Sequence, residues 1–419
     1  MTIDKQALTP IYVTEVINHP FTLYEGEMKF IGKLGDQEFV SQGIGVIKFT
    51  WFPRIRLKYS FNCDDSNIFN HEESHLLELT KLRISCNAAA TYFSLGHTTH
   101  ISGSLNEPVT ILSSQELSYL IFHITNCSWT GRLLLEANGW RVTIDSSESK
   151  VLAKLSKSLK EEGGYAITHV AKLERIDNLI FTPEESLDLL DGLRFFLSFS
   201  TGIWVAPMFP IGFDSNNKRI WEQWNSPVIS AYKGDVSSWF PKQKTQGLSE
   251  AFDEFMKLWQ DQDWQQPLKL AIHWYVESNL QAGAIDGSII LTQSALELLY
   301  HHRIGVFIKD GYKKLERLLT NSKLPINYAD IDSDLISELL TLAEKKSISL
   351  PKAITEIRNR LTHPEKNKDI HPSSIRIDAW RLSLWYLELT ILHLINYRGV
   401  YKNRLRFTWE GDYDELPWK

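Results

Sequence analysis

Positions 358 to 363 read Arg-Asn-Arg-Leu-Thr-His, and proline follows at 364. An arginine and a histidine five residues apart would point about 140° away from each other on a continuing α-helix, so they could not act on one atom. Pro364 changes that geometry. It disfavours helical backbone at His363 and cannot donate the next ladder hydrogen bond, which predicts that the helix ends there and presents the imidazole from its terminus. Ile354, Ile357 and Leu361 mark the buried stripe of that helix, and Arg358 falls at its edge.

These residue types suit the cleavage of RNA. A 2′-hydroxyl can attack the adjacent phosphorus while a histidine titrating near neutrality removes its proton or protonates the leaving oxygen. A permanently charged arginine offsets the negative charge that builds on phosphorus, without a metal. Asn359 can orient either group, so the expected catalytic set is Arg358, Asn359 and His363, with no cofactor and no metal. One histidine cannot serve as acid and base at once. Two copies meeting across a two-fold axis would supply the pair, and a homodimer is therefore expected. The same arginine and histidine would also suit an ordinary helix end, where cations interact favourably with the dipole. Their setting tips the reading toward chemistry: no other histidine follows an arginine by five to seven positions, and the pair precedes a long terminal helix.

The elements that must position this set are helical. From 248 onward the apolar period is that of a helix, with Phe252, Phe255, Met256 and Trp259 on one stripe and Leu268, Ile272, Tyr275 and Val276 on another. Further helices are predicted over 289–299, 306–319, 335–343 and 352–361, then a long one through Leu382, Trp385, Leu389 and Leu392. Short links between them describe an antiparallel bundle. The first half reads instead as strands, over 44–52, 55–61, 76–85, 119–125 and 165–173, with a hairpin over 133–145 turning at Asn138-Gly139. A helix is expected from Thr182-Pro183-Glu184-Glu185 to Gly202. The fold class is thus α+β, with a β-rich, sandwich-like domain over 1–247, a strongly curved sheet being the other form its many short strands allow, and an all-α domain over 248–419.

Composition agrees with two globular domains in 419 residues, at 43% hydrophobic and 23% charged. The net charge of −6 hides a local excess: residues 301–406 hold 19 Lys and Arg against 12 Asp and Glu. Cys63, Cys86 and Cys127 follow neither CxxC spacing nor an even count, and the first residues have no signal-peptide pattern, so a cytoplasmic location is expected. The uncharged run 195–213 is interrupted by Gly202, Pro207 and Pro210 and reads as a buried helix end and strand rather than a membrane span.

Residues 267–398 resemble a HEPN domain, whose signature is an arginine followed by a polar residue, with a histidine separated from the arginine by four to six residues. Here that is Arg358-Asn359 and His363, and the earlier stretch 289–299, Ile-Ile-Leu-Thr-Gln-Ser-Ala-Leu-Glu-Leu-Leu, is similar to an early helix of the family. Upstream, Thr168-His169-Val170 and 197–202, Leu-Ser-Phe-Ser-Thr-Gly, are similar to the N-terminal region of ApeA-like anti-phage HEPN proteins. The resemblance implies a metal-independent endoribonuclease, a homodimer through the helical domain, acting in anti-phage defence by abortive infection. The β-rich half would then sense a phage-derived trigger or select the RNA.

Around that set, Glu297 is a candidate for orienting the arginine, and His301-His302-Arg303, Lys313, Lys314, Arg317, Arg398, Lys402, Arg404 and Arg406 are candidates for RNA-backbone contact. Gly43-Ile44-Gly45 lacks the third glycine and the strand-turn-helix setting of a nucleotide loop. Two other classes remain open: a non-catalytic nucleotide- or RNA-binding protein of the same fold, and a protein-binding adaptor.

Overall fold

The computed structural model describes residues 7–34, 37–63, 75–94, 99–234, 236–363, 370–409 and 411–419. The chain divides into two compact units, one of residues 1–130, 142–188 and 206–233 and one of residues 131–141, 189–205 and 234–419.

The first unit is mostly β. Strands β1 (Phe21–Leu34), β2 (Gln37–Thr50), β3 (Arg56–Cys63), β4 (His75–Leu79), β5 (Ile84–Ser94) and β6 (Thr99–Leu105) close into an antiparallel barrel in the order β1-β2-β3-β6-β5-β4. Alternation does the sorting: Leu57, Tyr59 and Phe61 of β3 and Ile101 of β6 point inward and are buried, while Lys58, Ser60 and Ser102 alternate with them. Met28, Phe30, Ile47 and Phe49 complete a packed interior. Gly43 and Gly45 lie in the middle of β2, where a Cβ at Gly43 would sit 1.8 Å from the Asn62 carbonyl oxygen; these glycines let β2 and β3 approach, and form no ligand loop.

Of the two expected forms, sandwich and strongly curved sheet, these six strands take the second, a curved sheet closed on itself, which removes its exposed edges. The strand expected over 76–85 is two strands, β4 and β5, because the chain turns through Thr80–Arg83 with Arg83 at φ 55. A second sheet follows, with β7 (Val109–Ser113), β8 (Tyr119–Thr125), β10 (Trp140–Ser146), β11 (Ile167–Arg175), β12 (Met208–Phe213) and β13 (Arg219–Trp224), while β9 (Arg132–Ala137) belongs to the second unit. Within the first unit the strands run β7-β13-β12-β8-β11-β10. Asn138 and Gly139, at φ 52 and 79, make the expected turn between β9 and β10. Phe209 of β12 packs edge-on against Phe49, 4.9 Å between ring centres, so barrel and sheet share one core.

Helix α1 (Ser149–Glu162), not foreseen, buries Leu152, Leu155 and Leu159 at helical spacing. Helix α2 (Pro183–Thr201) opens on a capping box: Glu185 Oε2 accepts the Thr182 N–H at 2.7 Å, and Thr182 Oγ1 accepts the Glu185 N–H at 3.3 Å. Gly202, at φ 72, ends it.

The second unit holds α3 (Gln246–Gln260), α4 (Gln262–Asn279), α5 (Ala284–Arg303), α6 (Gly311–Asn321), α7 (Ser337–Lys346), α8 (Leu350–Thr362) and α9 (Ser373–Leu394). Helix α9 runs through the centre, buried on nearly every side from Leu382 to Leu392, and packs against α4, α5, α7 and α8. Among the described residues no helix is long and apolar enough to cross a membrane. The uncharged run 195–213 is the end of α2 followed by β12.

Candidate active site

Helix α8 starts at Ser349, whose Oγ accepts the Lys352 N–H at 3.3 Å, and has Pro351 in its first turn, where the missing donor costs nothing. Leu350, Ala353, Ile354 and Ile357 are its buried face. It stops where the sequence predicts. Thr362 is the last helical residue, and His363 leaves the helix at φ −133 and ψ 72 while its N–H still bonds to the Asn359 carbonyl at 2.8 Å. Pro364 lies outside the described residues. His363 is exposed, so its ring is open to a ligand.

Arg358 is held from below. Its Nη2 donates to Glu297 Oε1 at 2.7 Å, with both side chains about a quarter exposed. Glu297 stands on α5 one turn after Gln293, whose Nε2 donates to the same carboxylate oxygen at 3.0 Å, and Lys314 Nζ on α6 lies 3.7 Å from Oε2. The start of α6 closes the arrangement: a Cβ at Gly311 would lie 3.4 Å from Glu297 Oε1, and a helix N-terminus favours negative charge beside it. The carboxylate thus fixes one edge of the guanidinium. Arginine carries five N–H donors, so the remaining edge can still take phosphate oxygens.

These residues line an open groove of about 850 Å³ between α5, α6 and α8. Lys309, Lys314, Lys352, Arg358 and Arg360 line it, against Glu297, Asp310 and Glu356, with Tyr312, Asn359 and His363. The carboxylates are engaged, Asp310 by Lys313 at 2.7 Å and Glu356 by Lys346 at 2.7 Å. Lys352 Nζ stands 5.4 Å from the centre of the Tyr312 ring. Arg358, Asn359 and His363 therefore share one cationic groove, which can bind a phosphodiester, place a guanidinium on it and offer an imidazole for proton transfer.

Other candidate residues separate. Glu297 does meet Arg358. His301 is exposed, with Nε2 3.4 Å from Lys314 Nζ, which links it to the rim. His302, Arg303, Arg317 and Arg398 are exposed, and Arg406 lies 3.6 Å from Asp414. Arg404 is not available to RNA. It is 7% exposed, its Nε donates to Glu388 Oε2 at 2.7 Å, and Tyr275 OH donates to the other oxygen of Glu388 at 2.6 Å. Burial opposes its charge, but the adjacent Glu388 carboxylate prevails and raises the Arg404 pKa. In the first unit, His169 is buried, with Nδ1 2.9 Å from Thr168 Oγ1 and Nε2 3.2 Å from the Trp129 carbonyl. Burial lowers its pKa to about 4, so it packs as a neutral ring. Sequence reasoning passed over Gln293, Tyr312 and Lys352; Gln293 and Glu297 at i and i+4 were the available signal.

Comparison with known proteins places the groove inside a recognisable segment. A model of the YopA C-terminal domain matches residues 261–415, and one of the YopA central domain matches residues 112–235. The chain is similar to YopA. Along 438 aligned residues it is 25% identical to the SPbeta prophage-derived uncharacterized protein YopA of Bacillus subtilis (strain 168), covering 99% of this chain and 98% of that protein. The groove residues all fall in the segment matched by the YopA C-terminal domain, whereas the barrel precedes both matched domains. No solved structure matches.

Proposed function

We propose that the helical unit is a HEPN-type, metal-independent endoribonuclease. One observation carries the reading: an exposed His363 at a helix terminus lines the same groove as an Arg358 fixed by Glu297. The 2′-oxygen attacks phosphorus as its proton passes to an imidazole, the bond from phosphorus to the 5′-oxygen breaks, and a second imidazole protonates that leaving oxygen. The products are a 2′,3′-cyclic phosphate and a 5′-hydroxyl. Arg358 stabilises the charge on phosphorus, and Asn359 orients the phosphate or the ring. The second imidazole is His363 of a second copy, which makes the working form a homodimer with both sets of Arg358, Asn359 and His363 in one cleft.

The prophage origin of the B. subtilis relative agrees with a role in conflict between phage and cell, with the β-rich unit responding to a phage-derived trigger. Purified protein should cut RNA but not DNA in the presence of a chelator. RNA binding without cleavage, unchanged by His363→Ala, would instead support a non-catalytic binding protein.

A further inference from the structure

A second cationic surface lies on the barrel, well separated in sequence from the Arg358 groove. The outward faces of β2, β3 and β6 form an open groove of about 510 Å³ lined by Val46, Lys48, Thr50, Arg56, Lys58, Ser60, His100 and Ser102 among others. In the β2–β3 register Lys48 stands directly opposite Lys58, and Arg56 opposite Thr50. Two like charges facing across antiparallel strands repel, and that pairing is destabilising in the free protein. Among the described residues, Lys48, Arg56 and Lys58 have no carboxylate partner. In the barrel register Glu25 on β1 faces Val46 at the end of the groove, two residues along β2 from Lys48, and Glu27 faces Ile44 beyond it. A fold that places three unneutralised cations on neighbouring strands in this way is suited to an anion from outside.

We infer that this barrel face binds the sugar-phosphate backbone of a single-stranded nucleic acid. The arrangement of the charges selects the ligand class. The backbone positions of Arg56 and Lys58 are about 7 Å apart along one strand and that of Lys48 is about 5 Å away across the sheet, so the cations are rooted along a track rather than at one point. A track matches repeated phosphates better than a single phosphate. Ser60 and Ser102, opposite each other in the β3–β6 register, continue the track with hydroxyls beyond Lys58, and His100 follows on β6. The turn that joins Thr50 to Arg56 carries Phe52, 54% exposed, and exposed Arg54, which add a stacking face and a further cation at the end of the track. Cations that follow a backbone together with an aromatic face for bases are the usual means of holding a single strand.

The test uses the full-length chain and a labelled oligodeoxythymidine of about 20 nucleotides, long enough to fill such a track. A 2′-deoxy strand has no 2′-hydroxyl, so its binding is measured independently of whether the helical unit cuts RNA. Lys58→Ser should reduce the slope of log affinity against log salt by about 0.7, the share of one phosphate contact on a single strand. Lys58→Glu should weaken binding at low salt by about tenfold or more. The same Lys58→Glu change sets a carboxylate opposite Lys48 and should raise the Tm by about 1–3 °C, which separates lost binding from lost folding. Wild-type protein that ignores the strand, or Lys58→Glu protein that binds it as tightly as wild type, would overturn the assignment. Binding to phosphatidylserine vesicles without binding to the oligonucleotide would overturn it as well, in favour of a membrane surface.

Discussion

Arg358 and Arg404 each donate to a carboxylate at 2.7 Å, yet they occupy opposite environments. Arg358 and Glu297 keep 24% and 22% of their side-chain surface exposed; Arg404 and Glu388 keep 4% and 1%. Arg404 spends its donors on Glu388, Asn279 and the Ser237 carbonyl, and Tyr275 completes the shell. Arg358 gives one edge to Glu297 and turns toward a groove that also holds Asn359 and His363. The first arrangement fixes structure, because a buried ion pair whose nitrogens all bond to protein acceptors presents no edge to a ligand. The second fixes a side chain while leaving donors for one.

The comparison predicts opposite outcomes for the two pairs. Glu388→Ala strands the Arg404 charge in the core and should cost about 3–5 kcal/mol of stability, read from chemical denaturation. Arg358→Ala should leave denaturation within about 1 kcal/mol of wild type, because its pair is partly solvated. It should instead lower RNA cleavage about 10²- to 10³-fold, the usual loss when a donor to a developing oxyanion is removed. A Glu388→Ala protein with wild-type stability, or an Arg358→Ala protein that unfolds, would erase the distinction.

The β-rich unit should respond to acid through two buried histidines. His123 Nε2 accepts the N–H groups of Ile11 and Tyr12 at 3.1 and 3.0 Å, and burial lowers its pKa to about 4, as it does for His169. Both pKa values lie below the 6.5 expected of the unfolded chain. The stabilisation they contribute is therefore complete above about pH 6.5 and is lost as the pH falls toward about 4. Each histidine should contribute a slope of about 1.4 kcal/mol per pH unit in that window. Urea denaturation of His123→Gln protein between pH 4 and 7 should show a shallower slope than wild type; an unchanged slope would remove His123 from the account. The smallest effect is expected at Glu297→Gln. This change keeps the shape and an acceptor for Arg358 but removes the charge, so it should lower cleavage by about tenfold or less with under about 1 kcal/mol of destabilisation.

What the sequence disclosed was local. The Asn138-Gly139 turn, the Thr182–Glu185 cap and the end of α8 at His363 each depend on residues within a few positions of one another. Barrel closure was not legible, since the pairings of β1 with β4 and of β3 with β6 join distant segments that carry the same alternation as a sandwich. The turn between β4 and β5 contains neither glycine nor proline, so two strands read as one. In α1, lysines and serines between Leu152, Leu155 and Leu159 obscured the helical stripe. At the candidate site, the type and spacing of Arg358, Asn359 and His363 were visible, but the 61-residue separation of Glu297 from Arg358 left their contact to the fold. Arg404 and Arg406 look alike in sequence; only packing makes the first a core residue.

The central claim, that the Arg358 groove cuts RNA by 2′-hydroxyl attack, is tested most directly by incubating purified wild-type and His363→Ala protein with RNA in excess chelator and sequencing the ends by 2′,3′-cyclic phosphate capture. The account predicts cyclic-phosphate ends from wild type and their loss by about 10²-fold or more in His363→Ala. Equal cleavage by both proteins, or cleavage that appears only when magnesium is restored, would contradict it.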